Sequence, residues 1–358
     1  MIKTLDKYIF NQLIGPFFFG FFMFVTVIAI DPLMSALQNI VNDGVSPLVV
    51  VKWFLYRLPQ DMIFTFPMSV LLSTLLVFGR MSKDSETIAL RAGGVNFLRL
   101  LVPVIFFAII VTSVSFIFNE LVVPHSNKKA QEIRRYEILR LVEPEASENA
   151  IMRISDGGNA YARKVFESKN SMERVLIEYY KNGVIDCRLS AADAQWNGEL
   201  WQLSGVVEQH YKNGEVASNV THLKYDLKIL ERPLDFARQS KKPNEMSYNE
   251  LKERIDTYER TKFVDTLDLQ VELAMKTSLP FACLFFALIG SSFGLTSYRS
   301  GAFIGFGISI IIIFVYYVLL SLSTAMGKSG YLPVLLSAWL QNIVFAVVGL
   351  AVSSRVNS

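Results

Sequence analysis

The sequence predicts a polytopic α-helical membrane protein, with six transmembrane helices arranged 3+3 around an inserted all-β, sandwich- or jelly-roll-like domain. Three observations carry this. Of the 67 Lys, Arg, Asp and Glu among 358 residues, 50 lie between Glu120 and Lys276, leaving 17 for the other 201 positions. The two charge-poor flanks hold six apolar runs, and the charged middle holds hairpin turn signals. The chain is 52% hydrophobic and 19% charged, with a mean hydropathy of +0.35. One soluble core has no use for two long, nearly uncharged blocks, so a plain globular enzyme and a disordered chain are excluded. A net charge of +3, dispersed along the chain, gives no grip on a polyanion and excludes a nucleic-acid binder.

A helix crosses about 30 Å of hydrocarbon with about 20 mostly apolar residues. The first such run is Tyr8–Ile30. It is too long for a signal-peptide core and lacks a small-x-small cleavage site, so it reads as a retained span. Gly15-Pro16 can bend it, and Phe17-Phe18-Phe19 with Phe21-Phe22 suits lipid or an interhelical seam. The second, Met62–Gly79, is shorter and follows the more polar Arg57-Leu58-Pro59-Gln60-Asp61. It counts as a span because the flanking charges cannot otherwise be reconciled.

Next comes the loop Arg80–Gly94, expected to hold a short surface helix over about 81–94. Ser82 or Asp84 can cap it, Glu86 suits its first turn, and Gly93-Gly94 can end it. It is too short to span and too polar to enter the bilayer, so it should offer Glu86 and Arg91 to the cytosol. A connector and a coupling helix that docks on a soluble motor subunit are both consistent with this local pattern.

The third span is Leu100–Asn119. The outward domain runs from about Pro124 to Asp265 and opens with a helix from Asn127 to Leu141. β pattern follows: Val175–Tyr180 and Val184–Leu189 flank Lys181-Asn182-Gly183, and turns recur at Trp196-Asn197-Gly198-Glu199-Leu200-Trp201 and Tyr211-Lys212-Asn213-Gly214-Glu215. Ser247-Tyr248-Asn249-Glu250 reads as a capping box opening an amphipathic helix. Spans four to six are Thr277–Tyr298, Ser300–Gly327 and Ser329–Ser354. The domains are thus 1–123, 124–265 and 266–358.

With the N-terminus inside, Lys3, Lys7, Arg80, Lys83, Arg91, Arg99, Arg299 and Arg355 fall on the cytoplasmic side. The outer turns hold little: Asp43 in the first, Lys328 as the only basic residue in the last. Lys52 and Arg57 are the exceptions, basic residues on the outward side of the second span.

Little in the chain points to chemistry. His125, His210 and His222 have no metal-type spacing, and no metal site is expected. Cys187 and Cys283 fall in different blocks and are not expected to meet. Ala325-Met326-Gly327-Lys328-Ser329 ends like a phosphate loop, but Leu322 stands where the first glycine belongs, and the stretch lies between two spans. Asn219-Val220-Thr221 is a glycosylation sequon of no weight by itself. No catalytic residue is assigned, and the chain is not expected to be an enzyme. Three basic residues, Lys52, Arg57 and Lys276, could snorkel to the interface or face a cavity for an anionic headgroup. Gly301 and Gly305, four apart, suggest a helix-packing face.

Taken in order, several motifs resemble the LptF/LptG family of lipopolysaccharide-export permeases over essentially the whole chain. They are Leu5-Asp6-Lys7-Tyr8-Ile9, the loop Asp84-Ser85-Glu86-Thr87-Ile88-Ala89-Leu90-Arg91-Ala92-Gly93-Gly94, and the stretch from Glu272 through Lys276 and Pro280 to Gly290. Arg299-Ser300-Gly301 follows, then Gly330-Tyr331-Leu332-Pro333 leading to Trp339. The resemblance implies an inner-membrane ABC exporter of diderm bacteria. Two such permeases, each with a periplasmic β-jelly-roll, pair over an LptB-like ATPase dimer and pass lipopolysaccharide to an LptC-like periplasmic protein. It implies no cofactor on this chain, with ATP and Mg on the partner ATPase. By position, Glu86 resembles the family's coupling-helix glutamate, with Asp84, Ser85, Thr87 and Arg91 beside it, and Lys276 resembles a basic residue of the cavity wall. One departure stands out: Ile30-Asp31-Pro32 occupies a place where family members often carry lysine or arginine. Beside this stand a permease for another envelope lipid or lipoprotein, and a non-transporting scaffold that anchors a β domain.

Overall fold

The computed structural model describes residues 4–138, 147–154, 158–166, 169–181, 184–212, 215–228, 243–261, 266–296 and 302–357. The chain divides into two compact units, Met1–Gln131 with Leu267–Ser358, and Glu132–Thr266.

The first unit is helical. Its elements are α1 (Thr4–Ile28), α2 (Ile30–Asp43), α3 (Pro47–Lys83), α4 (Glu86–Ala92) and α5 (Phe97–Ile117), which continues through a π-helical turn at Phe118–Val122 into α6 (Val123–Ile133). Among the described residues six helices are long and apolar enough to cross a membrane. The expected continuation of the third span past Asn127 is present, with a second π-helical turn at Arg134–Ile138; residues 139–141 lie outside the described ones.

Two sequence boundaries are corrected. The second span is no 18-residue run from Met62: α3 has 37 residues and takes in the polar approach. Arg57 and Asp61 stand one turn apart and pair at 3.4 Å, so two charges that break a hydropathy plot reinforce a helix instead. The chain after the first span is also helical. Its stretch α2 leaves Ile30, Leu33, Met34, Leu37 and Val41 exposed at helical spacing.

Along α1 the phenylalanine run divides by helical period. Phe17, Phe21 and Phe24 are buried with Ile9 and Leu13, while Phe18, Phe19 and Phe22 point out, more than half exposed. Water would not tolerate such a face, whereas hydrocarbon does. Several polar groups inside are held by the helices themselves or by neighbours. Ser69 donates to the Thr65 carbonyl at 2.6 Å, and Ser73 donates across to Leu13 of α1 at 2.7 Å.

The C-terminal helices of this unit, in chain order after the inserted domain, include one from Leu267 to Thr296, one from Ala302 to Lys328 and one from Val334 to Asn357. Tyr316 donates to Asn342 Oδ1 at 2.9 Å, and Asn342 Nδ2 donates to the Ser278 carbonyl at 2.8 Å, joining all three. The loop-like sequence ending at Ser329 is the end of the second of these and holds no phosphate loop.

The second unit carries one antiparallel sheet in sequential strand order: β1 (Ser147–Arg153), β2 (Asn159–Phe166), β3 (Ser171–Lys181), β4 (Val184–Trp196), β5 (Trp201–Lys212) and β6 (Glu215–Leu227). The strand pairing expected on either side of the three turns is present, with residues 182–183 and 213–214 outside the described ones. Lys181 pairs with Val184, Trp196 with Trp201 and Lys212 with Glu215 across their turns. In the middle turn Asn197 Oδ1 accepts from the Glu199 and Leu200 amides, and Gly198 takes φ 106°, open only to glycine at low cost. Among the described residues the strands form a meander with none of the long crossovers of a full jelly roll, because each turn closes on its immediate neighbour. Trp201, fully buried and 5.4 Å from Trp196 ring to ring, anchors the apolar face with Leu189, Leu203 and Val206. Glu178 is buried too, but Arg188 on the next strand and the Tyr180 hydroxyl both donate to it; burial and that bond push the Tyr180 phenol up to about 12.

The capping box holds at α7 (Tyr248–Thr261): Ser247 Oγ accepts from the Glu250 amide at 3.2 Å and Glu250 Oε2 accepts from the Ser247 amide at 3.0 Å. The remaining helices are then α8 (Leu267–Thr296), α9 (Ala302–Lys328) and α10 (Val334–Asn357).

Candidate functional site

At the end of the helical unit where α3 stops, the chain reverses direction twice in a few residues. Asp84 closes α3, its amide donating to the Arg80 carbonyl at 2.9 Å. Ser85 then takes φ 58° and starts α4 without a side-chain cap. This corrects the expected helix over 81–94: residues 81–83 belong to α3, and α4 proper is Glu86–Ala92. Gly93-Gly94 ends it as expected. Gly94 sits at φ 82°, and the Val95 amide reaches back to the Leu90 carbonyl at 3.0 Å.

The faces of α4 divide cleanly. Thr87 is buried and Leu90 packs on the helical core, whereas Asp84, Ile88, Ala89 and Arg91 are exposed. Arg91 stands in the open as expected. Glu86 does not: it is half-buried and accepts from the Tyr8 hydroxyl at both oxygens, 2.9 and 3.1 Å, with Arg80 Nη2 3.5 Å from that hydroxyl. Two residues earlier on α1, Asp6 accepts a forked pair of bonds from Arg99 at 2.5 and 2.8 Å. The first turn of α1 therefore fastens both α4 and the start of α5. Neither contact was legible as a motif, since the partners are separated by 78 and 93 positions. A forked pair in which both groups are charged is stronger than a neutral hydrogen bond and also fixes geometry. Asp6→Asn is accordingly expected to lower the melting temperature of the detergent-solubilised chain by a few degrees, with Arg99→Lys between it and wild type.

At the opposite end of α3 lie the basic residues. Arg57 is paired with Asp61, Lys52 is exposed, and Lys276 is half-buried in α8, its carbonyl accepting from Asn119 Nδ2 at 3.2 Å. Since α8 begins at Leu267, Lys276 lies inside the helix and not ahead of its first residue. Helices α3 and α8 run parallel: Gly290 lies against Leu71 and Thr74, and Gly294 against Leu75 and Phe78.

Helices pack closely at these two glycines. A Cβ at Gly290 would collide with Thr74 Oγ1, and one at Gly294 would lie 2.8 Å from Phe78 Cβ. At Gly305 it would meet only Leu76, at an ordinary 3.8 Å, because α9 packs loosely there; Gly301 lies outside the described residues. Both cysteines are free, Cys283 buried and Cys187 half-buried. On the sheet Cys187, Glu208 and His210 come together from two strands, with His222 beside them from a third. Sequence spacing could not show this, because the strand register alone assembles it.

A search of curated proteins finds no match. The family model for the lipopolysaccharide export system permease LptF/LptG matches residues 7–355, and the chain belongs to that family.

Proposed function

We propose that this LptF/LptG-family chain is the permease subunit of an ABC transporter that extracts lipopolysaccharide from the inner membrane and passes it to a periplasmic bridge. The observation that carries this reading is the family match across residues 7–355. In it the termini are cytoplasmic, the β domain is periplasmic, and a second LptF/LptG-type permease completes the pair. An LptB-like ATPase dimer binds ATP and Mg and drives the cycle, since no residue here is assigned to nucleotide or catalysis. An LptC-like protein receives the lipid.

The chemistry asks for two surfaces. Extracting a multi-acyl lipid uncovers about 0.8 kcal/mol per CH₂, so the chains must move from one apolar surface to another. Exposed apolar helix faces of the kind α1 and α9 carry serve the first role, and the apolar face of the sheet serves the second. The anionic headgroup asks for cations at the outer end. Arg57, Lys276 and Lys52 suit it, although the Arg57–Asp61 pair must loosen for Arg57 to contribute. In the coupling role Asp84, Ser85, Glu86, Thr87 and Arg91 act as one short lever, with Glu86 as the hinge point on α1.

Mild-detergent purification of the tagged chain from its native membrane, with mass spectrometry of what copurifies, tests the reading. A stoichiometric phosphate-loop ATPase, a second six-span permease and bound lipopolysaccharide are expected. Another retained lipid would reassign the substrate, and a chain recovered alone after gentle cross-linking would make it an anchored scaffold. Lys276→Gln, which removes one charge, is expected to lower retained lipopolysaccharide about fivefold, the effect of ~1 kcal/mol per charge near an anionic surface, measured by quantifying lipid per purified complex.

A further inference from the structure

The sheet holds a group of side chains that lipid export does not use. Cys187 of β4 and His210 of β5 are direct cross-strand partners, and Glu208 lies two residues before His210 on the same face. Glu208 Oε1 is 3.9 Å from Cys187 Sγ and 3.1 Å from His210 Nε2. The three ligand atoms all lie within 4.8 Å of one another. His222 of β6 takes the other carboxylate oxygen, Nε2 to Oε2 at 2.9 Å, and its ring lies against Tyr225. The register of β5 and β6 shifts between His210 and Tyr211, the kind of bulge that re-aims a side chain near a functional site.

We propose that Cys187, Glu208 and His210 form a binding site for a zinc-class divalent ion, with His222 holding the carboxylate from behind and one coordination position left open. Thiolate, imidazole and carboxylate are the zinc donor set, and three protein ligands with a free position are the pattern of an open site. Bond lengths of about 2.0–2.3 Å around a tetrahedral ion put ligand atoms about 3.3–3.6 Å apart. The His210–Glu208 and Cys187–Glu208 separations bracket that range, so small rotations suffice. Thiolate and carboxylate together neutralise a dication. The nearby cation Arg188 is committed to Glu178 and does not oppose it. The thiol packs at the edge of the apolar core, while His210 is half-exposed, which gives the ion a way in. Metal binds the Cys187 sulfur as thiolate. On binding, its S–H bond breaks, a sulfur–metal bond forms, the proton passes to solvent, and no electron is transferred. His222 is the second partner that orients a ligating group.

The test uses the full-length, tag-free chain in detergent micelles, titrated with cobalt chloride and then zinc chloride. One cobalt per chain is expected, with a thiolate-to-cobalt charge-transfer band that zinc displaces. Cys187→Ser should abolish the band and His210→Ala should weaken binding at least tenfold. His222→Gln should keep the band and weaken binding roughly 10–100-fold, the usual range for an outer partner. Zinc should also protect Cys187 of the unmutated chain from alkylation, a readout that needs no variant. No saturable uptake, uptake without a thiolate band, a band that survives Cys187→Ser, or unprotected Cys187 at saturating zinc each overturns the site. None of these outcomes bears on whether the chain is a permease.

Discussion

Glu86→Arg is expected to abolish coupling between ATP hydrolysis and lipid release while leaving the chain in the membrane. The carboxylate receives the Tyr8 hydroxyl at both oxygens, and Arg80 stands next to that hydroxyl. A guanidinium there loses the hydrogen bonds and faces Arg80 with like charge, so α4 is repelled from α1. In the coupling-helix reading it also meets any arginine of the motor with the wrong sign. Disrupting a charge pair at an interface costs about 2–5 kcal/mol, roughly thirtyfold or more. Lipopolysaccharide-stimulated ATP hydrolysis and lipid release in proteoliposomes should both fall by at least that factor. Tyr8→Phe separates the two contributions: it removes the local tie but keeps the carboxylate, so a loss of only a few fold is expected. Wild-type release by Glu86→Arg would remove the coupling role and leave α4 a connector.

Gly290→Leu is expected to prevent accumulation of the folded chain. A Cβ there collides with Thr74 Oγ1 and lies 2.9 Å from the Leu71 carbonyl oxygen. Thr74 has nowhere to turn, because its hydroxyl already donates to the Val70 and Leu71 carbonyls. The α3–α8 seam must part, and those two helices are the innermost: 78% and 72% of their span windows are buried, against 17% for Gly305–Lys328. Overpacking costs about 1–3 kcal/mol where side chains can yield and more where backbone blocks the way. Gly305→Ala serves as the control, since its Cβ meets only Leu76 at 3.8 Å. Size-exclusion profiles and thermal melts of the two variants decide the matter; equal recovery would show that the seam tolerates separation.

Those two positions also show what the sequence could and could not reveal. Spans, hairpins and the capping box each depend on residues a few positions apart, so hydropathy, Asn-Gly turns and a Ser-x-x-Glu spacing disclose them. The contacts of the candidate site are of another kind. Tyr8 with Glu86, Asp6 with Arg99, and Cys187 with Glu208 and His210 are made only when separate elements pack or strands register. The Leu5–Ile9 and Asp84–Gly94 motifs drew notice separately, and only the fold joins them through one hydroxyl. Gly290 and Gly294 share the small-residue spacing of Gly301 and Gly305, and only the packing of α8 against α3 shows that a tight seam forms there. Arg57 and Asp61 misled a hydropathy reading for a simple reason: opposite charges one turn apart count as two polar residues but act as a neutral pair.

The sequential strand order of the sheet has a kinetic side. Among the described residues each strand pairs with its neighbours in the chain, so none of these strands waits for a partner far along the sequence. Closing a short loop costs little entropy, and each doubling of loop length adds only about 0.6 kcal/mol. Topologies rich in near-neighbour contacts fold faster than those built from distant pairings. The sheet can therefore zip hairpin by hairpin in the order its strands emerge, before the helices that follow it are made. An assembly pathway of that kind keeps few strand edges open at any moment, which protects a domain that must form between two sets of membrane insertions.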